Sequence, residues 1–104
     1  MTTFKKAVEN LRPKLEEIGS NEAFFEAMAK FGDPKTREEN LDRAESYIRE
    51  FNGIKATVTT IYPNIDCEEV HKALFDIYFE AWLADKHNFE IRVKSIYSED
   101  KEVA

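Results

Sequence analysis

Cys67 and His71 are the pair of side chains whose types and spacing come nearest to nucleophilic chemistry. They stand at i and i+4, one turn apart if this stretch is a helix. A helix N-terminus favours a thiolate, and an imidazole one turn on could serve as its base. Asp66, Glu68 and Glu69 oppose this, because their negative charge favours the neutral thiol. The same two residues supply only two metal ligands. Glu68 points elsewhere on the helix and His87 lies four to five turns away, whereas zinc needs three or four ligands. Neither a metal nor a cofactor is expected.

Paired carboxylates could run acid–base chemistry across a cleft. Here Glu16-Glu17, Glu38-Glu39, Glu68-Glu69 and Glu99-Asp100 fall in helix first turns or on polar faces, where capping and solvation account for them. The chain has no phosphate loop, no nucleotide fingerprint and no nucleophile elbow. A non-enzymatic role is therefore expected, with a small thiol enzyme built on Cys67 and His71 as an alternative.

The region from Asp66 to His87 carries more information than any single residue. Val70, Ala73, Leu74, Ile77, Ala81 and Ala84 form one aliphatic stripe at helical spacing. Phe75, Tyr78, Phe79 and Trp82 form a second, aromatic patch at i, i+3, i+4 and i+7. Glu69, Asp76 and Glu80 run along a line beside that patch. A small domain needs one buried stripe per surface helix, so the aromatic patch must be covered by the rest of the chain, by a second copy or by another protein. Aromatic anchors beside steering carboxylates suit a protein partner with a basic groove. The expected function is a small acidic, regulatory or inhibitory interaction module, one version of which blocks a nucleic-acid-binding groove. A homodimeric structural module is the competing expectation.

The elements that must position these residues follow from periodicity. Phe4, Val8, Leu11, Leu15 and Ile18 step as an amphipathic helix, with Thr3 as its cap, Gly19 as its end and a kink at Pro13. Ser20 or Asn21 opens a short second helix bearing Phe24, Ala27, Met28 and Phe31, closed by Gly32. Thr36 and Glu39 form a capping box for a third, with Leu41, Ala44, Ile48 and Phe51 on its buried side. Ile54, Ala56, Val58, Thr60 and Tyr62 then alternate with polar residues, as in a half-buried strand. Asp66 and Glu69 cap the long helix, and Phe89, Ile91, Val93 and Tyr97 read as a second strand. The expected fold is α+β: three N-terminal helices, then a β-α-β unit with a two-stranded sheet and a long central helix. A charged, frayed tail is expected over 98–104.

Composition bounds the class. A chain of 104 residues forms a single compact domain. Its net charge of −6 argues against direct binding of nucleic acid or an anionic membrane through a basic face. The basic cluster Lys5, Lys6, Arg12 and Lys14 is interleaved with Glu9, Glu16 and Glu17 and reads as a solvated face. One cysteine excludes an internal disulfide, and no apolar run reaches membrane-spanning length. A soluble cytoplasmic protein is the expectation.

Overall fold

The computed structural model describes residues 2–103, with side chains as far as Tyr97. Among these residues the architecture is all-α. Helix α1 spans Phe4–Phe31, a single 3-10 turn spans Pro34–Thr36, α2 spans Arg37–Ile61 and α3 spans Cys67–Val103.

Each helix follows from a stripe stepping alternately by four and three residues. On α1 the stripe Phe4, Val8, Leu11, Leu15, Ile18 continues through Glu22, Phe25 and Ala29, so the helix passes both Pro13 and Gly19 without a break. The Thr3 hydroxyl accepts the Lys6 N–H at 3.2 Å, which satisfies one of the free donors at the helix start. Gly32 ends α1, its N–H donating to the Met28 carbonyl at 2.9 Å. Gly19 is therefore not an end, and the two expected N-terminal helices are one.

On α2 the stripe is Asn40, Ala44, Tyr47, Phe51, Ile54 and Val58. Thr36 stands at its N-cap, but its hydroxyl donates to the Asp33 carbonyl at 3.1 Å instead of capping α2. The expected first strand is the C-terminal half of this helix. Alternation at Ile54, Ala56 and Val58 coexists with helical spacing at Phe51, Ile54, Val58 and Tyr62, and burial decides between the two. Phe51 and Val58 are core, whereas Ala56 is exposed. The β-branched threonines are accommodated by back-bonding: Thr57, Thr59 and Thr60 donate to the carbonyls of Gly53, Lys55 and Ala56 at 3.0, 2.8 and 2.9 Å.

Helix α3 begins where expected, with the Val70 N–H on the Asp66 carbonyl at 3.0 Å and the Glu68 N–H directed to the Asp66 carboxylate at 3.4 Å. The expected second strand is its continuation. Phe89 and Val93 follow one another at i and i+4, and both pack inward. The α+β assignment, its β-α-β unit and its two-stranded sheet are thus overturned: no strand occurs among the described residues. Side chains of the tail expected to fray lie outside the described residues.

Partner pairs fix the topology. Phe4 meets Tyr62, Lys14 meets Glu50 and Phe25 meets Tyr47, so α1 and α2 are antiparallel. Glu22 meets Tyr78, Glu26 meets Trp82 and Phe31 lies beneath Lys94, so α1 and α3 are parallel. The result is an elongated three-helix bundle, 61 × 22 × 19 Å, with α1 packed along both neighbours. Its core is Val8, Leu15, Ile18, Phe51, Val58, Val70, Leu74, Ile77 and Tyr78. Leu15, Ile18, Val70 and Leu74 are the most completely enclosed, each contributing about 1.5–3 kcal/mol.

Candidate interaction face

The long helix α3 divides its side chains among three environments. Val70, Leu74 and Ile77 of the aliphatic stripe are core. The aromatic residues expected to act together are split. Tyr78 is 8% exposed and lies against Phe51 of α2, with ring centroids 4.9 Å apart. Phe75 and Trp82 are half-buried, and Phe79 remains 40% exposed. The cover for Tyr78 therefore comes from α1 and α2 of the same chain.

What remains outside is an ordered edge. His71, Phe75, Phe79 and Trp82 stack in sequence along α3, with centroid spacings of 5.2, 5.4 and 5.5 Å and near-parallel planes. The helical repeat sets this ladder, because i, i+3 and i+4 side chains lie above one another. Leu83, 56% exposed, extends the apolar strip beyond Phe79. Glu69, Asp76 and Glu80 are all exposed, as their place on the polar side of α3 requires. Glu80 lines a depression of about 220 Å³ with Arg12, Glu16 and Ile77. The Arg12 guanidinium is bound to both Glu9 carboxylate oxygens at 3.1 Å, and it holds that carboxyl below its ordinary value.

Cys67 is exposed at the first position of α3. His71 stacks on Phe75, and its Nδ1 lies 3.4 Å from Lys55 Nζ of α2. The imidazole that a thiol nucleophile would need is thus engaged with its neighbours. No group of three or more His, Cys, Asp or Glu residues suited to a metal occurs among the described residues. No helix among them is long and apolar enough to cross a membrane.

A polar centre that sequence reasoning missed lies behind the ladder. Glu22 of α1 is 4% exposed, and its Oε2 accepts the Tyr78 hydroxyl at 2.5 Å. One turn on, Glu26 accepts the Trp82 indole N–H at 2.8 Å. Burial pushes the Glu22 carboxyl up to about 7; the Tyr78 hydrogen bond pulls against this and the neighbouring Glu26 adds to it. Burial, followed by the hydrogen bond and charge of Glu22, pushes the Tyr78 hydroxyl upward too. The signal was present in the chain: continued past Gly19, the stripe of α1 places Glu22 at a core position.

Comparison with known proteins adds no relative: the chain matches no protein-family model, no curated protein and no solved structure.

Proposed function

We propose that this protein is a small, non-catalytic interaction module that regulates a larger protein through the outer face of α3. The observation carrying this reading is the exposure of Phe79 and Leu83 beside Glu69, Asp76 and Glu80. Phe79 is held by stacking on Phe75 and Trp82, so little side-chain freedom is lost when a partner covers it. The three carboxylates supply the field that steers a basic partner into contact. A partner whose own task is to hold nucleic acid has a groove of the required charge, and occupying that groove would inhibit it.

The test is affinity capture from cells of the source organism, read by quantitative mass spectrometry. The wild-type chain is compared with Phe79→Ser and with the triple variant Glu69→Lys, Asp76→Lys, Glu80→Lys. A true partner is lost in both, and its association rate falls steeply as salt rises. Binding that survives both sets of substitutions would remove α3 as the contact face. Sedimentation of the free protein identifies the case in which the partner is a second copy.

A further inference from the structure

The second oxygen of Glu22, Oε1, is sealed from solvent and has no hydrogen-bond partner. Each of the three helices contributes to its surroundings. From α1 comes Glu26, whose carboxylate stands beside that of Glu22. From α3 come the Tyr78 hydroxyl and the Trp82 indole, with Asp85 further along, bonded to Ser20. From α2 come the rings of Phe51, against Tyr78, and Tyr47, stacked on Phe25.

The cations of α2 are occupied elsewhere. Arg43 lies over the Phe25 ring at 5.5 Å, Arg37 donates to the Ala29 carbonyl at 3.1 Å, Arg49 pairs with Glu45 at 3.7 Å and Lys55 stands beside His71, while Lys30 of α1 lies over Phe31 and Lys86 of α3 over Trp82 and beside Glu90. The Asn40 amide, also buried, is turned to Thr36. Among the described residues no salt bridge reaches Glu22 or Glu26. Burial and a neighbouring carboxylate with no cation between them both oppose ionisation of Glu22. A proton on Glu22 satisfies the orphan oxygen and removes its charge.

We propose that the buried Glu22 carboxyl carries a proton on its orphan oxygen, directed to Glu26, and that this proton is a pH-operated latch holding α3 on α1. With the proton in place, Tyr78 and Trp82 are both tied to α1. Without it, two negative charges face each other in a buried site. Glu26 is the half-buried member and lines an open depression of about 430 Å³ with Lys30, Arg37 and Leu41, so it is the one that turns outward, to water and to these two cations. Its turning frees the Trp82 N–H and, through the stack, loosens the seat of Phe79. In the unfolded chain Glu22 has an ordinary carboxylate pKa of about 4.3. The folded protein therefore binds the extra proton between that value and about 7. The stabilisation is fully present below the unfolded value and is lost as pH rises through the folded one.

The experiment is a carbon-13 NMR titration of the Glu22 carboxyl in the intact chain from pH 4 to 9, with Trp82 emission and the thermal midpoint followed in parallel. The expected result is a Glu22 step near pH 7, with Trp82 emission moving to the red and the thermal midpoint falling over the same interval. Glu22→Gln places a permanent N–H donor where the proton sits, so its emission and midpoint stay flat across neutral pH. A wild-type Glu22 that titrates in the ordinary carboxylate range overturns the proposal, as does a Glu22→Gln chain that keeps the step. The first reading is made on the unsubstituted protein and so decides the matter even if the variant does not fold.

Discussion

Helix α1 is packed on two sides, and the two seams rest on different chemistry. Toward α3 the backbones are in near contact: a Cβ on Gly19 would collide with the Tyr78 carbonyl oxygen and stand 3.1 Å from the Trp82 nitrogen. The same seam carries the buried Glu22–Tyr78 hydrogen bond and the part-buried Glu26–Trp82 and Ser20–Asp85 bonds. Toward α2 the seam is held by the Phe25–Tyr47 stack, an exposed Lys14–Glu50 ion pair and hydrogen bonds only near its ends, from Tyr62 to the Thr2 carbonyl at 2.8 Å and from Arg37 to the Ala29 carbonyl at 3.1 Å, beside an open apolar groove of about 790 Å³ lined by Leu11, Ile54 and Ile61. Close backbone approach, with hydrogen bonds along the middle of the seam, fixes one arrangement of two helices. A looser apolar seam leaves room for change. The contrast teaches that α1 and α3 set the geometry, while α2 closes the core against them.

The sharpest way to break this contrast is Gly19→Ala, which forces the α1–α3 backbones apart. It should cost about 3 kcal/mol or more in urea unfolding, despite the better helix propensity of alanine. Loss of the Glu22 proton comes next. Between pH 5 and 8 the wild-type chain should lose up to about 3 kcal/mol, and Glu22→Gln should lose little of it. On the α2 side the sign reverses. Gly53 has open space where a Cβ would stand, so Gly53→Ala should stabilise the chain by roughly 1 kcal/mol. A destabilised Gly53→Ala would show that the α2 side is tighter than its open groove implies. Smallest is Lys14→Ala. Its pairing with Glu50 at 2.8 Å is between side chains 46% and 39% exposed, and removing it should cost under about 1 kcal/mol, less at high salt.

Three helix starts were legible in the chain, whereas the start read at Ser20 or Asn21 does not exist and the helix extents were misread. Thr3 and Asp66 mark true beginnings through the few residue types that cap a helix, and Thr36 stands at one without its side chain capping it. The reading failed where a local signal competed with a longer period. Gly19 looks like a stop, yet it is the point of closest helix approach, which only the partner helix reveals. Ile54 to Tyr62 alternates like a strand, but the burial of Phe51 and Val58 imposes a helical period on residues of strand propensity. The candidate face was half legible: Phe75, Tyr78, Phe79 and Trp82 do lie together, but whether α1 and α2 cover each of them depended on a fold read wrongly. Glu22 was hidden for the same reason, since a helix ended at Gly19 never carries it into the core.

The parallel pairing of α1 and α3 also governs the entropic cost of assembly. Each contact between these two helices closes a large part of the chain into a loop, as with Glu22 and Tyr78, 56 residues apart. By contrast, α1 and α2 are joined across the short turn at Pro34–Thr36 and meet at little entropic cost. The most exacting seam is therefore also the one whose contacts carry the larger loop-closure cost. Gly19 also fixes the register of that seam: shifting α3 along α1 would carry the Tyr78 carbonyl off Gly19 and onto a residue that bears a Cβ.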